Sequence, residues 1–224
     1  MKKIFLTVSF IIGAVLSLSA QNSNSPSAQD NYIQVITKRA DKIVQALALT
    51  DSAKYKRVRD IIANQYNILS NIHDTRDAKV KDIKAQAGDD KTKVNAQVAG
   101  VDSMVDIQLD QAHKIYVAKL ITELDPGQID EVKDQMTYKI LPLTYNAYLD
   151  ELPNLTDEQK AQIKAWLVEA REHAIDAGSS EKKHEWFGKY KGRINNYLSK
   201  QGYDMKKAGE EWQKRIKERQ AQNG

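Results

Sequence analysis

The sequence predicts an all-α protein of about seven helices, a long antiparallel helical hairpin packed with a C-terminal helical bundle. Three observations lead there. Apolar residues recur at three- and four-residue steps through most of the chain, the spacing that lines one face of an α-helix. No stretch alternates apolar and polar residues over strand length. Capping residues stand where apolar patterns begin, as in LTDSAK, LDPGQI and LTDEQK.

Residues 1–20 read as a secretory signal peptide, with Lys2 and Lys3, an uncharged apolar run, and the small-residue close LSLSA. Cleavage is expected after Ala20, with Ser19 as the alternative last residue. The apolar run is shorter than the about 20 residues a membrane anchor needs. Residues 21–29 are polar and read as a disordered leader, and residues 30–224 as a single all-α domain. The mature chain is expected in the periplasm, or outside the cell, with no transmembrane segment.

Within that domain, Tyr32, Ile36, Ala40, Ile43, Val44 and Leu47 mark a first helix. Thr50 is placed to cap a second, which carries Val58, Ile61, Ile62, Leu69, Ile72, Val80 and Ile83 to about residue 86. Gly88 stops it and Thr92 starts its successor. Residues 93–123 carry Val94, Val98, Val101, Val105, Leu109, Ala112, Tyr116 and Leu120, a coiled-coil-like stripe. A short turn between two such helices makes an antiparallel hairpin. Asp125, Pro126 and Gln128 then form a helix start with a capping box, Leu124 being placed to staple onto Ile129. Pro142 is expected to break that helix, LTYNAYLDEL to add a short one, and Pro153 to end it. Thr156 and Gln159 form a second capping box, before the stripe Ile163, Leu167, Ala170 and Ala174 and a stop at Gly178. A helix from Ser180 to Lys200 and another capped by Asp204 complete the chain.

Composition excludes several chemistries. Among 224 residues there is no cysteine, which removes disulfides, thiolate zinc sites, iron–sulfur clusters and a cysteine nucleophile. Serine-hydrolase, phosphate-loop and zinc-protease motifs are missing. Glu169, His173 and Asp176 share a helix face, and His73 neighbours Asp74 and Asp77; both groups read as ordinary helix polarity. No cofactor, metal site or catalytic residue is expected, although paired carboxylates meeting only in space would escape this reading. Charge is uneven. Residues 179–224 carry 12 Lys/Arg against 6 Asp/Glu, a local +6, whereas residues 21–178 carry 20 against 24, or −4. A basic end suggests an acidic partner or simply a solvated helix face.

The segment unlike plain scaffold is HEWFGKYKGRINNYLSKQGYDMKKAGEEW, residues 184–212. Trp186, Phe187, Tyr190, Tyr197, Tyr203 and Trp212 are six of the fourteen aromatics that would survive cleavage. Gly188 and Gly192 stand one turn apart inside a helix, where each costs about 0.5–1 kcal/mol relative to alanine. Trp186, Tyr190, Arg193 and Tyr197 share one face, beside the apolar stripe Phe187, Ile194 and Leu198. Two readings follow. The face is a core stripe with glycines at a tight helix crossing. Alternatively, it is a platform on which Trp186, Tyr190, Tyr197, Tyr203 and Trp212 stack on sugar rings while Lys189, Lys191, Arg193, Asn195 and Asn196 bind their hydroxyls or carboxylates. Nucleic acid would use the same residue types, but an exported protein does not meet it, and none is expected as partner.

The run WFGKYKGRINNYLSKQGYDMKKA, with ELPNLTDEQKAQI upstream and RADKIVQALALTD near the mature start, resembles the domain of unknown function 3826 family. These are exported bacterial proteins of about this length, described at most as sugar-binding. The resemblance covers essentially the whole mature chain and implies a carbohydrate ligand with no established catalytic residues; the local +6 charge adds the expectation of an acidic glycan. Leu155, Thr156 and Gln159 also resemble the LTxxQ motif of small periplasmic helical chaperones, which implies a chaperone or scaffold as the alternative. A capping box accounts for those three residues equally well. An enzyme acting on polysaccharide is the remaining alternative.

Overall fold

The computed structural model describes residues 28–88 and 90–222. The signal-peptide reading and residues 21–27 of the leader lie outside the described residues. Eight helices account for nearly all of the rest, with no strand among the described residues. The first, α1 (Ala28–Gln45), starts two residues inside the segment read as leader.

The predicted hairpin is α2 (Ser52–Ala87) against α3 (Lys91–Ile121), with α1 packed along α2. Its caps differ from expectation by one or two residues. Asp51 rather than Thr50 caps α2, its carboxylate accepting from the N–H groups of Ala53 and Lys54 at 2.8 and 3.1 Å. Asp90 rather than Thr92 caps α3 through the Lys93 N–H. At the hairpin's base, Ile43, Val44, Val58, Ile62, Tyr116 and Leu120 join Ile129, Val132 and Met136 of α4 (Pro126–Met136) in a first apolar core. Toward the tip, Val94, Val98, Val101, Val105 and Leu109 are only half-buried. There the stripe faces α2 without a third layer.

Both capping boxes form as expected. Asp125 and Gln128 exchange bonds at the start of α4, and Thr156 and Gln159 do so at the start of α6 (Asp157–Ile175). Pro142 stands just after the break rather than at it. The break comes earlier, at Tyr138 and Lys139, two consecutive residues with φ of 59° and 55°. A left-handed conformation costs about 1–2 kcal/mol per non-glycine residue. It is held by the fully buried Thr137, whose hydroxyl donates to the Lys133 carbonyl, and by the Lys139 N–H donating to the Asp134 carbonyl at 2.7 Å. Pro142 falls in the first turn of α5 (Ile140–Glu151), where its missing N–H removes no helical bond.

The second core joins α5, α6 and α7 (Ser180–Lys200), with Leu141, Tyr148, Ile163, Leu167, Phe187, Ile194 and Leu198 buried. The expected stripe of α7 is therefore core. Helix α8 (Met205–Gln222) contributes no buried residue. It is capped by Asp204 and tied back to α5 by polar contacts: the Trp212 indole N–H and the Arg219 guanidinium both donate to Asp150.

A charged layer separates the two cores. Arg171, 4% exposed, donates to Asp134 at 2.8 Å and Asp130 at 2.5 Å. His113 of α3 donates to Asp176 at 2.7 Å and reaches Glu172 at 3.3 Å, and Lys133 of α4 pairs with the same Glu172. The buried Lys183 ammonium donates to the carbonyls of Met136 and Ile175. The turn after α6 is pinned to α2 by the His73 Nε2–H, which donates to the Asp176 carbonyl at 2.8 Å.

That pin explains Gly178. A Cβ there would lie 2.8 Å from His73 Cγ and 2.9 Å from its Cδ2. Gly178→Ala is expected to lose about 1–3 kcal/mol in urea unfolding, as overpacking does. The same change in a His73→Ala background should cost much less; an equal loss in both backgrounds would remove the imidazole as the cause.

Candidate functional site

Helices α6 and α7 lie side by side, and their exposed flanks frame an open groove of about 580 Å³. Trp166 comes from α6; Lys189, Gly192, Arg193, Asn196, Tyr197 and Lys200 come from α7. Local pattern explains the placement. Ile163, Leu167, Ala170 and Ala174 turn one stripe of α6 into the core, which leaves Trp166, Glu169 and His173 on the adjoining flank. On α7 the buried Phe187, Ile194 and Leu198 leave Lys189, Arg193, Asn196 and Lys200 in a row at i, i+4, i+7 and i+11.

The groove is lined with aromatic faces and cations. Trp166 and Tyr197 meet edge to face, with centroids 5.2 Å apart. The Arg193 guanidinium lies over the Trp166 ring at 4.6 Å and meets the Glu169 carboxylate at 3.5 Å. One turn away Trp186 is stacked on His173 at 4.4 Å, with the Lys189 ammonium 4.9 Å from its ring centre. Tyr190, 5% exposed, sits beneath; burial and then the neighbouring Glu169 push its phenol up to about 12, so it stays neutral.

The sequence-predicted residues therefore separate into two groups. Lys189, Arg193, Asn196 and Tyr197 line the groove, and half-buried Trp186 flanks it. Tyr190 is core. Lys191 is exposed but is not part of the groove lining. Tyr203 donates its hydroxyl to Gln159 at 2.9 Å and to the Asn154 carbonyl, bracing the start of α6. Trp212 is held by Asp150 at 2.6 Å. Asn195 accepts from the Tyr148 hydroxyl at 2.7 Å. Trp166 and Glu169 were not among the expected site residues. The available signal was that Trp166 is one of only three tryptophans and stands at i, i+3 and i+7 with Glu169 and His173.

The glycine reading also changes. A Cβ at Gly188 or Gly192 would meet nothing within 4 Å, so no helix crosses α7 there. Gly192 instead keeps the groove wall bare. Glu169, His173 and Asp176, grouped by sequence, take three separate partners: Arg193, Trp186 and His113. Asp74 accepts from Ser70 and Asp77 from Arg76, leaving His73 to its turn. The LTxxQ residues all serve the helix start: Leu155 is buried, and Thr156 and Gln159 bond each other. Among the described residues no helix is long and apolar enough to cross a membrane.

Fold and groove together define an all-helical protein with an aromatic, cationic surface groove. The chain belongs to the family described as Protein of unknown function (DUF3826), whose model matches residues 33–218. No curated protein matches it.

Proposed function

We propose that this is an exported, non-catalytic protein that binds carbohydrate in the groove between α6 and α7. The observation that carries the reading is the convergence of Trp166, Tyr197, Arg193 and Asn196 around an open groove walled by Gly192. A sugar ring presents an apolar CH face and a polar edge, and aromatic faces beside planar hydrogen-bonding groups complement both. Gly192 supports it independently. A helical glycine costs about 0.5–1 kcal/mol of stability against alanine, and packing does not require this one. At Gly192 that cost leaves backbone accessible to a ligand. The export part of the proposal rests on the signal-peptide reading of residues 1–20, with cleavage after Ala20 and release into the periplasm or outside the cell.

Isothermal titration of the mature protein against neutral and acidic oligosaccharides tests the proposal. Binding to at least one is expected, and Trp166→Ala should weaken it about ten-fold, because the indole both lines the groove and supports the Arg193 guanidinium. Absence of heat with every sugar, or an unchanged affinity for Trp166→Ala, would overturn it.

A further inference from the structure

We propose that the groove selects sugar chains bearing anionic groups, uronate carboxylates or sulfate esters, and admits them by exchanging Glu169 for the ligand's anion on Arg193. The inference rests on the carbohydrate reading of the same groove and names its ligand class.

Three features lead to it. First, the lining holds three cations, Lys189, Arg193 and Lys200, and no carboxylate. Of these only Arg193 has an acidic partner among the described residues. Lys189 leans over the Trp186 ring, and Lys200 closes the far end of the row unpaired. Such a surface attracts anions and carries an uncompensated potential until one arrives.

Second, the Arg193 pair is built to be exchanged. Its contact to Glu169 is 3.5 Å, with the two side chains 53% and 49% exposed. Strong charge-assisted bonds are about 2.7–2.9 Å, and exposed pairs contribute little. The guanidinium is meanwhile stacked over Trp166 at 4.6 Å, which occupies its face and leaves its N–H edge as the part free to bind in plane. A carboxylate or sulfate on a sugar can take that edge in place of Glu169 while the arginine remains on the indole. A neutral sugar has nothing to exchange and meets a tryptophan already covered by a cation.

Third, the row from Lys189 through Arg193 and Asn196 to Lys200 spans eleven helical steps, about 16 Å along α7. That is longer than one sugar ring. The groove therefore fits a short stretch of polymer with repeated charges rather than a monosaccharide.

Titrations at about 50 and 300 mM salt, a range over which screening of exposed charges rises steeply, provide the test. The probes are an oligogalacturonate, its carboxyl-reduced neutral counterpart, a sulfated galactan oligomer of equal length, and a single-stranded oligothymidylate. At least one anionic sugar should bind about ten-fold or more tightly than the neutral one at low salt and lose most of that advantage at high salt. Which of the two binds identifies the anion. E169Q removes the competing carboxylate and should tighten the anionic sugar about two- to five-fold, a larger change than for the neutral one. The K189Q/K200Q double variant, whose helicity and thermal midpoint should match wild type, should weaken the anionic sugar more than the neutral one and flatten its salt dependence. Equal affinity for neutral and anionic oligomers, or E169Q weakening both, would overturn the selection and leave carbohydrate binding standing. Failure of every sugar, or oligothymidylate binding more tightly than all of them, would overturn both readings.

Discussion

Replacing Arg171 by methionine should cost about 3–5 kcal/mol, the largest loss expected from any substitution considered for this protein, because it strands a buried charge. Arg171 projects from α6 with its side chain 5% exposed and donates to Asp134 and Asp130 of α4. The two carboxylates differ in what they lose. Asp130 is 64% exposed and can return to water; Asp134 is 16% exposed and cannot. Burial already pushes the Asp134 carboxyl above its ordinary range, against the pull of the Arg171 guanidinium, so removing that guanidinium leaves desolvation unopposed. The variant would then have to protonate Asp134 or open the contact between α4 and α6. Urea unfolding followed by circular dichroism measures the loss. The R171M/D134L double variant should recover much of it, since exchanging a whole buried pair for apolar side chains is often neutral. A loss below about 1 kcal/mol in the single variant would show that the pair behaves as an exposed one.

The parts of this fold legible in the sequence are those decided within one turn of chain. The boxes Asp125–Gln128 and Thr156–Gln159 need only two side chains and the backbone between them, and both form as read. The starts of α2 and α3 were misplaced because each loop offers a threonine and an aspartate as cap. The carboxylates of Asp51 and Asp90 are the ones that reach the free N–H groups. The break at Tyr138 and Lys139 comes four residues before Pro142, whose ring would meet the Tyr138 carbonyl in a continuous helix, so the proline marks a break without locating it. The break is held by Thr137, whose hydroxyl bonds back into α4, and from outside by Lys183 of α7 donating to the Met136 carbonyl. The site divides the same way. Lys189, Arg193, Asn196 and Tyr197 were readable because they share one helix flank. Trp166 belongs to another helix, and only the pairing of α6 with α7 brings it over Arg193. Tyr203 and Trp212 were grouped with them by sequence proximity, but Tyr203 braces the start of α6 and α8 turns Trp212 onto α5.

Stability should fall as pH rises from about 6.5 toward 9, with His113 as the cause. Hydrogen bonds to Asp176 first and Glu172 second hold the imidazolium and raise its pKa to about 9, against an ordinary value of 6.5. Below pH 6.5 the ring is protonated in both folded and unfolded chains, and its contribution is fully present. Between the two values the folded chain holds more protons than the unfolded one, so unfolding becomes easier with each increment of pH. The shift corresponds to at most about 3 kcal/mol. The groups facing His113 sharpen the expectation. Glu172, although desolvated, is held down to about 2 by bonds from His113 and Lys133, so it stays ionised throughout this range. Asp176 has one carboxylate oxygen buried without a hydrogen-bond partner, which leaves His113 as the proton donor to the other. Lys183 acts in the opposite sense. Burial lowers its pKa to about 8, so above that value the folded chain sheds a proton the unfolded one keeps, and part of the lost stability returns by pH 10. Urea unfolding from pH 6 to 10 should therefore show a decline that flattens or reverses above pH 8–9. In H113Q the decline should disappear and only the Lys183 rise remain. A wild-type curve that is flat between pH 6.5 and 8, or an H113Q curve with the same slope, would exclude the imidazolium as the ionic link between the hairpin and α6.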